Sequence, residues 1–201
     1  AIASIWPNTK GESIVLDLGA NTKLNSQYLV DNAILGSSLA SSLLKIENPS
    51  VGLLNVGKED NKGNEIVNEA SLRLTELKAK GVINYAGYIE GSDISSGKTN
   101  VVITDGFTGN VALKTAEGTA RMVKTFLKEA LNSSIISKLG SFFSSFALAS
   151  LRNKLDPSVH NCGIFVGLNA PVIKCHGASD HVGITYASDL LYMLISDNIN
   201  D

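Results

Sequence analysis

Short apolar runs that do not alternate with polar residues recur along the chain, and most lead into a helical stretch. Ile14-Val15-Leu16-Asp17-Leu18 is one; Gly19-Ala20-Asn21 follows it, then a helical pattern from about Ser26 to Ile46 that Asn48-Pro49 stops. Val51 to Val56 is the next, followed by the polar loop Gly57 to Asn64 and a helix to about Lys80. Val82-Ile83-Asn84-Tyr85 and Asn100-Val101-Val102-Ile103-Thr104 are two more, and Asp105-Gly106-Phe107-Thr108-Gly109-Asn110 opens a helix to about Leu131. The opening Ala1-Ile2-Ala3-Ser4-Ile5 is also strand-like and lacks the basic start of a signal peptide. Two β-rich runs, Cys162 to Val166 and Val172 to Cys175, precede a last helix from about Ser179 to Asp197. Strands apolar on both faces must be covered on both. The pattern therefore predicts an α/β fold, a mainly parallel sheet between helical layers, with an antiparallel hairpin near the end. There is no internal repeat and no linker, so residues 1–201 are expected to form one domain.

Composition narrows the function classes. Apolar residues are 44% and charged residues 18% of 201, a globular balance. The formal charge of -2 gives no basic surplus for nucleic acid. No apolar stretch reaches the roughly 18 residues a membrane span needs. Cys162 and Cys175 are too few for a disulfide scaffold and fit a reduced, cytoplasmic setting as buried structural thiols.

One segment breaks the rhythm. Ile135 to Leu155 holds no strand yet is rich in large apolar residues, and Leu139, Phe142, Phe143 and Phe146 share one helical face. Two readings are open: a helical hairpin packed on its own domain, or a protruding amphipathic hairpin that docks on a membrane surface or a partner.

Ligands of open parallel sheets bind at the carboxyl ends of strands. Four glycine-bearing segments are expected there: Asp17 to Asn21, Gly57 to Asn64, Asp105 to Asn110, and His176-Gly177. In the third, Gly106 and Gly109 would let backbone amides approach an anion at a helix start, with Thr108 and Asn110 adding donors. An ordinary βα turn with an N-cap accounts for the same residues. In the second, Lys62 could pair with phosphate or a developing oxyanion, or belong to a solvated loop. Gly91 to Thr99 fails as a P-loop, because five residues separate its glycines where four are required. Neither a dinucleotide fingerprint nor a nucleophile elbow is present. His160, Cys162, Cys175 and His176 match no zinc spacing, so no metal is expected.

In order, Leu16-Asp17-Leu18-Gly19-Ala20-Asn21, Ile46 to Gly57, Lys62-Gly63-Asn64-Glu65, Tyr88 to Ile94, Asp105-Gly106-Phe107-Thr108-Gly109-Asn110, and Gly167 to Ile173 with His176-Gly177 resemble the bacterial phosphate acyltransferases of phospholipid synthesis, the PlsX family. The resemblance implies transfer of a fatty acyl group from acyl carrier protein to inorganic phosphate. It implies an α/β/α sandwich related to phosphotransacetylases and isocitrate dehydrogenases, a homodimer, no cofactor or metal, and a cytoplasmic enzyme peripherally attached to the membrane. It favours the membrane-facing reading of Leu139, Phe142, Phe143 and Phe146. The family's amino-terminal part is not in this sequence, so the chain is expected to be a carboxy-terminal portion; Ala170 stands where the family commonly has Gly.

The implied mechanism gives Lys62, Asp105 and Asn110 catalytic roles. Lys62 or Asn110 would stabilise the oxyanion, and Asp105 would fix Lys62 or take a phosphate proton. Asn64, Gly106, Thr108, Gly109, Asn169 and His176 would bind or position substrate. A phosphotransacetylase-type enzyme using acyl-CoA and a non-catalytic membrane-surface scaffold are the competing classes.

Overall fold

In the computed structural model, β1 (Ile2–Asn8) and β2 (Gly11–Leu16) pair antiparallel about the turn at Thr9-Lys10, with Ile5 opposite Ile14. The structure describes residues 1–23, 25–59, 62–146, 148–149, 162–175, 177 and 179–197. The chain groups into two compact units, one of Ala1–Asn110 with Ser158–Asp201 and one of Val111–Pro157.

The first unit is built on one sheet. From β2 the chain enters α1 (Ser26–Leu44), β3 (Ser50–Leu54), α2 (Glu65–Ala79), β4 (Asn84–Ile89), the short α3 (Gly91–Ser95) and β5 (Val101–Ile103). β6 (Cys162–Phe165), β7 (Val172–Cys175) and α6 (His181–Ser196) complete it. The strand order is β4-β3-β5-β2-β1-β6-β7. β4, β3, β5 and β2 pair in parallel, whereas β1 is antiparallel to both β2 and β6, and β7 to β6. Five strands thus run one way, and β6–β7 is the expected antiparallel hairpin.

Strand periodicity decides where the core sits. Ala3, Ile5, Ile14, Leu16, Val51, Leu53, Val101 and Ile103 form one buried cluster with Leu29, Ala33 and Leu39 of α1, Ala70 and Leu74 of α2, and Leu190 and Leu194 of α6. Burying these side chains supplies the main stabilisation, about 25 cal/mol per Å² of apolar surface. α1 lies close enough that a Cβ on Gly36 would meet Leu16 Cδ2 and Val101 Cγ1 at 2.8 Å. Any larger residue there would push the helix off the sheet. Val15, Ile89 and Val102 alternate to the other face and are buried as well.

The helices start and stop close to where the sequence predicts. Asn25 caps α1 by accepting from the amides of Gln27 and Tyr28, and Lys45, in the left-handed region at φ 54°, ends it. The expected strand at Val82–Tyr85 lies two residues later. Gly81 (φ 71°) closes α2, with the Val82 amide donating to Leu77 O. The helix end thus takes up Val82, which is exposed, and pairing starts at Asn84. The Gly91–Thr99 stretch follows the strand β4. It forms α3 and not a phosphate loop: Glu90 and Asp93 close its first turn reciprocally.

The described part of the second unit is helical. α4 (Gly106–Asn132) begins in the first unit and continues into it, and Ser134 caps α5 (Ile135–Phe143) by accepting from Ser137 N. No residue of α5 is buried. Leu139, Phe142 and Phe143 belong to α5, and Phe146 comes after its end; Phe143 is 83% exposed and Phe146 89%. Ala147 and residues 150–155 of the expected hairpin lie outside the described residues. Among the described residues, no helix is long and apolar enough to cross a membrane.

Candidate functional site

The chain winds outward from β2 to β3 to β4 and then returns to place β5 between β3 and β2. Open sheets hold ligands at such reversals, outside the carboxyl ends of the strands. Leu16 of β2 and Leu53 of β3 both pair with Ile103 of β5. The three following segments, Asp17–Asn21, Asn55–Asn64 and Asp105–Asn110, therefore leave the same sheet edge side by side.

The turn after β2 is organised by Asp17, which is fully buried. Its carboxylate accepts from the amides of Ile2 (2.9 Å), Gly19 (3.0 Å), Ala20 (2.9 Å) and Asn21 (2.8 Å) and from the Tyr28 hydroxyl. Burial disfavours the charge, but the Tyr28 and backbone hydrogen bonds outweigh it and hold the carboxyl below its ordinary value of 3.8. Tyr28 is pushed above its ordinary value by burial, by the bond to Asp17, and by the charges of Asp17 and Asp105, while Asn32 acts in the opposite direction. The Leu16–Asp17 peptide is cis.

The turn after β5 packs directly onto this one. Asp105 caps α4, its Oδ1 accepting from Phe107 N and Thr108 N at 2.9 Å each. Gly106 N donates to Asn21 O, and Gly109 N to Asp105 O. These bonds correct the sequence expectation that amides of Gly106 and Gly109 stand free for an anion: the first turn's donors are already taken. The glycines serve packing instead. A Cβ on Gly106 would lie 2.5 Å from Asn21 O, and one on Gly109 would overlap Asp17 O. What remains for a ligand is the exposed Thr108 and the exposed Asn110, whose Nδ2 would lie 3.1 Å from a Cβ on Gly19.

The segment after β3 is held differently. Asn55 Nδ2 donates to Lys62 O, and Asn55 Oδ1 accepts from Val56 N. Asn64 Oδ1 accepts from Val67 N at 2.9 Å and so caps α2. Lys62 is exposed and, among the described residues, makes no ion pair. Lys58 differs: Asp93 binds it at 3.0 Å and Lys98 at 3.4 Å.

Two other expected site residues stand apart. Asn169 lies on the exposed turn between β6 and β7, at the same sheet edge, but β6 is three strand spacings from β5, about 14 Å. His176 lies outside the described residues. The strand before it ends at Cys175, opposite Cys162 at the start of β6, so β7 finishes at the other sheet edge. An antiparallel strand carries its carboxyl end away from the crevice, which corrects the expectation that all four glycine-bearing segments converge. Asp17, Tyr28 and Asn55 were not singled out from the sequence. The segment Asp17–Asn21 was marked, but nothing in it distinguishes a buried carboxylate from an exposed one.

The whole chain, residues 1–201, matches the model of a family described as fatty acid synthesis protein. It is 52% identical over 195 residues to a phosphate acyltransferase of Azorhizobium caulinodans, covering 97% of this chain and 55% of that relative. A phosphate acyltransferase of Agrobacterium fabrum is 49% identical over 99% of this chain and 56% of its own length. The chain thus spans little more than half the length of these curated relatives. Among solved structures, the EutD phosphotransacetylase of Staphylococcus aureus overlaps 59% of this chain and 41% of its own at 17% identity and a TM-score of 0.45, too slight a likeness to carry any assignment.

Proposed function

The chain belongs to the fatty acid synthesis protein family, and we propose that it supplies the phosphate side of an acyltransferase site that converts an acyl thioester of acyl carrier protein to acyl phosphate. The observation that carries this reading is the parallel register of β3 on β5, which supports one crevice for Lys62, without an ion pair among the described residues, and the turn bearing Thr108 and Asn110. The names of the relatives point to acyl transfer to phosphate. Because the chain covers about half their length, the activity belongs to the whole protein that contains it.

Phosphate is strongly hydrated, and its attack must be oriented. The Lys62 ammonium attracts it, and the Thr108 hydroxyl donates to it. A phosphate oxygen forms a bond to the thioester carbon, and the carbonyl electron pair moves to oxygen. The Asn110 amide donates to that oxyanion. Its collapse breaks the carbon–sulfur bond and expels the carrier thiolate, a good leaving group that needs no strong general acid. Asp105 acts by fixing the first turn of α4, and Asn64 by fixing α2 behind Lys62. Asn169, too distant for the phosphate, lines the acyl-donor side.

The exposed apolar side chains of α5 and of Phe146 just after it support a membrane-facing role for Leu139, Phe142, Phe143 and Phe146, which would keep a cytoplasmic enzyme near its lipid product. The exposed stripe of Val111, Met122 and Phe126 on α4 supports a homodimer. Acyl-phosphate formation by the whole protein, from acyl carrier protein and from CoA thioesters, tests the reading. Lys62→Ala is expected to lower kcat/KM about 10²-fold or more with the carrier thioester. An unchanged rate overturns the role of Lys62, and a preference for CoA overturns the carrier.

A further inference from the structure

We propose that Cys162 and Cys175 are a cross-strand dithiol that closes to a disulfide by exchange with a low-molecular-weight disulfide. The two residues are directly opposed in the antiparallel β6–β7 ladder, and both are free thiols. Opposed residues of such a ladder have side chains on the same face and Cα atoms about 4.5–5.5 Å apart. A disulfide spans about 4.4–6.8 Å between Cα atoms, so the bond can form without separating the strands. Neither thiol has a part in the phosphate crevice, since both lie at the other edge of the sheet.

The two sulfurs differ in access. Cys162 is buried, and its Sγ lies 3.9 Å from Gly183 O in the first turn of α6. Burial and the neighbouring Cys175 push its thiol up to about 11. Cys175 is partly exposed on β7, the last strand of the sheet, where a reagent reaches it from the side. The order of events follows. The Cys175 thiolate attacks one sulfur of the small disulfide, forming a mixed disulfide and releasing one small thiolate. Cys162 then loses its proton to solvent and attacks the Cys175 sulfur. The protein disulfide forms, and the second small thiolate leaves. Two protein thiols are oxidised and one small disulfide is reduced to two thiols.

The test uses the full chain, reduced, freed of reductant and incubated with oxidised glutathione. Intact mass after acid quenching is the readout, with a non-reducing gel beside it. The expected result is a chain without covalent links to another copy that has lost two hydrogens, carries no glutathione, resists maleimide and returns to the dithiol with dithiothreitol. Cys162→Ser is expected to stop at one glutathione adduct, and Cys175→Ser to react about tenfold more slowly or less. A folded chain that keeps both thiols, accumulates glutathione adducts, or cross-links between chains overturns the proposal. The wild-type result alone decides it should a variant fail to fold.

Discussion

The turns after β2 and β3 flank β5 at one sheet edge and are built on opposite plans. After β2, a buried carboxylate gathers four backbone amides and a tyrosine hydroxyl, and α4 packs onto it through Gly106 and Gly109. After β3, an exposed lysine sits on a loop that the Asn55 side chain steadies by hydrogen bonds to the backbone of Val56 and Lys62. A buried charge persists only when its hydrogen bonds are made, so the first turn is fixed by necessity. An exposed ammonium keeps its hydration without an ion-pair partner, and Lys62 makes no ion pair among the described residues; under the proposed function it is the group that meets an incoming anion. One turn is thus built on a fully hydrogen-bonded buried charge, and the other presents an exposed cation.

The contrast is broken most directly at Asp17. Asp17→Ala leaves five donors without their acceptor and is expected to cost about 4 kcal/mol in urea unfolding. A loss under about 1 kcal/mol would make the two turns equivalent. Lys62→Ala sharpens the other side: activity falls about 10²-fold, while the unfolding free energy stays within about 0.5 kcal/mol. Gly109→Ala forces a Cβ onto the backbone oxygen of Asp17, which no rotamer change relieves. It should destabilise by about 2 kcal/mol, whereas Ala at the open Gly91 should not.

The smallest expected effect is at Tyr28, and it depends on pH. Tyr28→Phe removes one hydrogen bond to the ionised carboxylate and is expected to cost about 1 kcal/mol near neutrality. Asp17 is held below 3.8, so its contribution is complete above that pH and is lost as pH falls through the lower folded value. Without Tyr28 the folded value rises toward 3.8, leaving less to lose. Urea midpoints of wild type and variant should therefore converge as pH drops below 3.8, and a gap that stays constant would remove Asp17 from the explanation.

Much of the frame was legible because it depends on local periodicity. The apolar runs at Ile14–Leu16 and Val101–Ile103 are buried on both faces, and the hairpin partners Cys162–Phe165 and Val172–Cys175 stand where the pattern placed them. The site was less legible. Gly106 and Gly109 invite the same reading in a phosphate loop and in a tight helix–turn contact, since both need a missing Cβ. Asp105 looks the same in sequence as an N-cap and as a group that takes a phosphate proton. The edge that His176 follows depends on strand direction, which Cys175 by itself does not encode.

Sequence alone determined most of the strands and long helices and which turns carry polar residues, though not the short α3 or the start of β4, because side-chain period and capping chemistry act over a few neighbours. Tertiary structure alone decided that β5 returns between β3 and β2, that Asp17 is the buried anchor of the turn after β2, and that the first turn of α4 spends its amides within the protein. Those outcomes depend on groups many residues apart competing for the same hydrogen bonds and the same space, a competition decided only once the sheet is assembled.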